Sequence, residues 1–167
     1  MITAEQEQRI EHLSDTELYP LAVEFMRGVA KKLPTTQING LVNVALGKNT
    51  YQQLKEFVEY QQNRSTWRAS ERHVPDFYRR FSNKFKDLEK YALTVIALQP
   101  AKTSPEGRDE IRIAIVREFI QHLLAENDYM GATQAFADNN GNPARAHQER
   151  SQHYNQHDAQ GRGRTSK

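Results

Sequence analysis

Apolar residues recur along this chain every three to four positions, the period of helices with one face turned inward. In "SDTELYPLAVEFMRGVAKKL" the repeat is Leu18, Leu21, Phe25 and Val29. Ser14 and Glu17 stand before it at capping-box spacing, and Pro20 falls in the first turns, where a missing N–H costs least. At "KKLPTTQINGL" Pro34 closes that helix, and Thr35 or Thr36 is expected to cap the next. The second helix is expected over 36–46, with Ile38, Leu41, Val42 and Ala45 inward and Gly47 as its stop. A third starts at a Thr50 cap and turns Tyr51, Leu54, Phe57 and Val58 inward.

Residues 66–75 hold Trp67 and Pro75 but no apolar stripe. The pattern is read as an extension of the third helix to about Arg72, with a break enforced at Val74 and Pro75. The fourth helix starts at Asp76 and carries Phe77, Phe81, Phe85, Leu88, Ala92 and Val95 on one stripe. Ser104 caps the fifth and Pro105 takes its first position. That helix is apolar on more than one side, through Ile111, Ile113, Ile115, Val116, Phe119, Ile120, Leu123 and Leu124, so it is central or it meets a partner.

After Met130 the apolar content collapses into Asn, Gln, Gly, His and Arg, too little to offset the entropy of ordering. The expected organisation is a helical bundle over 1–130 and a flexible, disordered polar C-terminal tail over 131–167. No strand-like alternation is present. The fold class is therefore all-α, a bundle of about five helices.

Composition narrows the function classes. With no cysteine in 167 residues, disulfide and thiolate chemistry are excluded. No run approaches the roughly 18 to 20 apolar residues of a membrane span, and the acidic N-terminus does not suit a targeting peptide. A cytoplasmic protein without membrane contact is expected. No phosphate-binding glycine loop or nucleophile elbow occurs, and only His153 and His157 have the i, i+4 spacing of helical metal ligands. These two lie in the polar tail, so no metal, cofactor or catalytic residue is expected, and the protein is read as not an enzyme.

The formal charge is only +2, but its layout is uneven. Residues 1–30 carry a net −4, residues 64–90 a net +4 and residues 105–128 a net −3. On an extended third helix Arg64, Arg68 and Arg72 would share one face about 6 Å apart, a spacing suited to the phosphates of a nucleic-acid strand. Arg80 and Lys84 repeat the step on the next helix, with Arg79 beside them. The competing expectation is a solvated face whose arginines pair with the acidic N-terminal helix of this chain or of a neighbour. Trp67 and Tyr78 interleave with the cations, as base-stacking rings or as core.

The order of "LPTTQINGL", "YQQLKEFVEYQQNR", an aromatic helix and "IRIAIVREFIQHLLAENDY" resembles the small helical subunit of type III CRISPR–Cas interference complexes, over roughly residues 15–130. Thr36, Gln37 and Ile38 match that family's helix start, while Asn39 stands where the family often has arginine. The resemblance implies a non-catalytic subunit of an RNA-guided antiviral ribonucleoprotein, stacked in several copies against itself and other effector subunits. Its basic face would contact the backbones of guide RNA and target strand without reading sequence. Thr36, Gln37 and Asn39 would add neutral hydrogen bonds beside a helix N-terminus. Two other classes fit the pattern. One is a helix-turn-helix DNA-binding regulator built from 36–46 and 51–62, although Glu56 and Glu59 on its reading helix would be repelled by phosphate. The other is a helical scaffold that binds only protein.

Overall fold

The computed structural model describes residues 1–47, 50–101 and 103–140, and every regular element among them is helical. Helices α1 (Ala4–Leu13) and α2 (Tyr19–Arg27) are joined by a π-helical turn, Ser14–Leu18, into one rod. Then follow α3 (Thr35–Leu46), α4 (Tyr51–Asn63), a 3-10 turn (Ala69–Glu71), α5 (His73–Ile96) and α6 (Pro105–Asn140). These form five rods in the expected order. Among the described residues no helix is long and apolar enough to cross a membrane.

The first rod begins earlier than its apolar repeat indicates. Thr3, not Ser14, is the cap: its hydroxyl accepts from Gln6 N while the Gln6 side chain accepts from Thr3 N. Pro20 consequently sits mid-rod, where its ring would strike the carbonyl four residues back. The π turn relieves this by adding a residue to one turn, and Tyr19 N–H donates to Ser14 O five residues back. The same widening turns Ser14 inward, where its hydroxyl donates to Glu118 Oε2 at 2.8 Å and lies 2.9 Å from His122 Nε2. A hydroxyl has one proton, so the imidazole N–H donates to Ser14 Oγ.

The core is aromatic. Phe25 packs edge-on against Phe77, Phe81 and Phe119, and Phe81 also packs against Phe85. All six stripe positions of α5 are buried, from Phe77 to Val95. Ser104 caps α6 as expected, its hydroxyl accepting from Gly107 N at 3.1 Å. Seven of the eight apolar α6 positions named above are buried, and Leu124 is half-buried. They lie inside Met1–Asp128, one of the chain's two compact units, so this helix is central to its own bundle.

The second unit starts at Tyr129. Residues 131–140, expected as tail, are helical: α6 continues to Asn140, with Thr133 Oγ1 donating to Met130 O at 2.9 Å. The remainder of the expected tail, including His153 and His157, lies outside the described residues.

Candidate nucleic-acid interface

The α4–α5 connection departs most from expectation. The apolar repeat of α4 ends at Val58, and the residues that follow, Tyr60 to Asn63, give the helix nothing further to bury. The chain leaves the helix at Arg64 (φ −65°, ψ 118°), and the expected extension to Arg72 does not form. Trp67 instead folds back, its indole N–H donating to Gln61 O at 3.0 Å and so satisfying a carbonyl of the last turn. The half-buried indole is covered by the Arg64 guanidinium, 5.0 Å from the ring centroid, so this ring is structural. Arg64 Nε also donates to Thr66 Oγ1 at 2.6 Å.

Arg68 is extended (ψ 160°) and its N–H is held by Glu71 Oε2 at 3.1 Å. Arg72 is helical and opens α5, so Val74 and Pro75 belong to the first turn of that helix instead of breaking it. The reason is that Pro75 sits where an N–H would have no intrahelical acceptor. With Arg64 and Arg68 extended and only Arg72 helical, the three cannot form a ladder along one helical face, and that expectation is overturned. All three remain exposed, however, and Arg68 and Arg72 form no ion pair among the described residues.

Arg72 meets Arg79 instead. The two line a surface hollow of about 350 Å³ with Gln62, Asn63, Pro75 and Asp76. Arg79 pairs with Asp76 three residues back and stays 65% exposed, which leaves guanidinium edges turned to solvent. Arg64 lines an adjoining hollow of about 510 Å³ with Tyr60, Glu56 and Glu59, and Asn63 belongs to both. The first hollow has an excess of positive charge and the second an excess of negative charge.

The remaining expected residues divide. Arg80 is structural: Nη1 donates to Gly28 O at the end of α2, and the guanidinium lies 5.7 Å from the Phe25 ring centroid. Lys84 pairs with Asp87 at 3.6 Å. Hydrogen bonding to Lys90, with the charges of Lys90 and Lys84, holds the Asp87 carboxyl below its ordinary range. On α3, Thr36 and Asn39 are exposed and Gln37 is half-buried. Neither threonine caps that helix, because Pro34 occupies the cap position and no side chain bonds there. The Gln37 carbonyl accepts from Tyr78 OH at 3.3 Å, and burial pushes that phenol well above its ordinary range.

The junction before α3 is held by a residue the periodicity did not single out. Asn127 is 1% exposed; its Oδ1 accepts from Leu33 N at 2.8 Å and its Nδ2 donates to Leu33 O at 3.4 Å. Arg117 closes the other end of α3 by donating to Ala45 O and, at 3.2 Å, to Gly47 O. An amide and a guanidinium on a helix that is apolar on more than one side were the available signal. Both carry enough donors to satisfy helix ends and loops.

Ser14, Glu118 and His122 hold the residue types of a hydrolytic triad but not its geometry. The carboxylate accepts from the serine instead of orienting the imidazole, and Ser14 is only 6% exposed. Among the described residues no group of three or more His, Cys, Asp or Glu side chains could hold a metal ion. No family model, curated protein or solved structure matches this chain.

Proposed function

We propose that this protein is a non-catalytic, RNA-backbone-binding subunit of an RNA-guided effector ribonucleoprotein, of the type III CRISPR kind that its sequence resembles. Arg64, Arg68, Arg72 and Arg79 around the α4–α5 connection are the strand contacts, and Thr36 and Asn39 are exposed polar positions of the same kind on α3. The reading rests on one observation. Six carboxylates of the first rod, Glu5, Glu7, Glu11, Asp15, Glu17 and Glu24, are exposed, and none forms an ion pair with the basic segment among the described residues.

Pairing with the acidic first rod of the same chain was the competing expectation, and none of these ion pairs joins the two segments. Uncompensated faces of opposite sign suit head-to-tail stacking of copies, and free guanidinium groups suit phosphate. Contacts to phosphate position a strand without reading it, which leaves specificity to guide pairing. The helix-turn-helix alternative is weakened because Glu56 and Glu59 are both exposed on α4.

The test is filter binding of the full chain to single-stranded RNA across a salt series. Each phosphate contact contributes about −0.7 to the slope of log affinity against log salt, so four arginines predict a slope near −3. Absence of binding at low salt would overturn the reading in favour of a protein-only scaffold.

A further inference from the structure

The hollow shared by Arg72 and Arg79 lies at one end of the groove between α4 and α5, lined by the last turn of α4 and the first turns of α5. Helices α4 and α5 run antiparallel: Tyr51 packs on Phe85, 5.8 Å between ring centroids, while Phe57 packs on Tyr78 at 6.2 Å. A second hollow, of about 570 Å³, opens beside the start of α4, lined by Tyr51, Lys55, Ser82, Lys86, Glu89 and Arg112. On α5, Arg72, Arg79, Ser82, Lys86 and Glu89 follow one another at spacings of seven, three, four and three residues. Such spacings keep side chains on one slowly drifting stripe of a helix. Arg72, Arg79 and Lys86 therefore recur every two turns, about 10 Å apart, over about 21 Å.

The hollow beside the start of α4 has one more cation than carboxylates, Lys55, Lys86 and Arg112 against Glu59 and Glu89. Two of its cations flank one aromatic ring: Lys55 Nζ lies 5.8 Å and the Arg112 guanidinium 6.0 Å from the Tyr51 centroid. Glu89 is committed within the wall, accepting from Arg112 Nε at 2.8 Å, and it also hydrogen-bonds Tyr51. Burial and that carboxylate push the Tyr51 phenol upward, so it remains a neutral donor. Lys86 is exposed and forms no ion pair among the described residues. Glu59, on the α4 side, is the one lining carboxylate without an ion-pair partner there.

We propose that this groove is a single-strand track. A phosphodiester backbone held by Arg72 and Arg79 continues along the α5 stripe to a second phosphate subsite at Lys55, Lys86 and the free Nη groups of Arg112. The proposal rests on the RNA-binding reading above and specifies its path and footprint. A path of about 21 Å passes several nucleotides, and Glu59 disfavours phosphate at its own turn of the α4 wall, one turn beyond Lys55, which keeps the backbone on the α5 side between the two subsites.

Anisotropy with labelled oligouridylates of about 4 and about 16 nucleotides separates the two claims, since single-strand sites span that range. Arg72→Ala/Arg79→Ala should weaken binding of both lengths. Lys55→Ala/Lys86→Ala should weaken the long oligonucleotide selectively and reduce the magnitude of its salt slope by about 1.4. Lys55→Gln/Lys86→Gln keeps much of the stem over the Tyr51 ring and should reproduce the loss, while Glu59→Gln should tighten binding. If the arginine pair reduces binding and neither lysine pair does, the track is overturned and the phosphate contacts at the connection stand. If the wild-type chain binds neither oligonucleotide, both fail.

Discussion

Two neighbouring segments, α5 and the nine residues before it, are both rich in charge and both carry aromatic rings but are held in different ways. In α5 Phe77, Tyr78, Phe81 and Phe85 are buried against other rings; Phe81 is 0% exposed among Phe25, Phe77, Phe85 and Phe119. In 64–72 one ring, Trp67, is pinned by a single hydrogen bond and one cation, and the arginines face water. Packing of its rings fixes the first segment, whatever its exposed charges do. Local hydrogen bonds fix the second, so its charges remain available to a partner. Stability and binding should therefore respond to different substitutions.

The largest expected effect is in the core. Phe81→Ala should cost about 3–5 kcal/mol in urea unfolding, because the surrounding rings cannot all close on the cavity. Asn127→Ala should cost about 1–3 kcal/mol, since it leaves the Leu33 N–H buried without its acceptor. A comparable loss is expected at high pH from Tyr78. Its folded-state pKa is raised, so its contribution is full below the unfolded value of about 10 and declines as pH rises toward the folded value. The decline is about 1.4 kcal/mol per pH unit, checked by urea midpoints on either side of pH 10.

A smaller contrast tests the helix starts. Thr50 makes a reciprocal cap with Gln53, at 3.2 Å and 2.8 Å, so Thr50→Ala should cost about 1 kcal/mol. Thr36→Ala removes no cap and should change stability by less than about 0.5 kcal/mol. Equal losses in thermal melts would contradict the assignment of Pro34 to the cap position.

Legibility in the sequence followed the same division. The rods were readable because burial imposes a period, and Phe77 to Val95 landed inward without exception. Thr50 was readable as a cap because it directly precedes its apolar repeat, and Ser104 because Pro105 takes the first helical position after it. Ser14 also preceded one, but the true cap lay at Thr3, ahead of a polar first helix whose burial starts at Gln6 and Ile10. The run past Asn63 had no period to follow, and extending the helix through it placed Arg64, Arg68 and Arg72 on a face that does not exist. What brings Arg72 to Arg79 is the register of α5, which starts three residues earlier than the sequence reading placed it.

The central claim is that the connection's arginines bind a strand and take little part in folding. Arg64→Ala/Arg68→Ala/Arg72→Ala tests it when thermal melting and RNA binding are measured on the same preparation. The expected result is a melting temperature lowered by no more than the few degrees that the Arg64–Trp67 contact accounts for, with a salt slope about 2 units shallower. A large drop in melting temperature with RNA affinity intact would show that these side chains serve the fold instead.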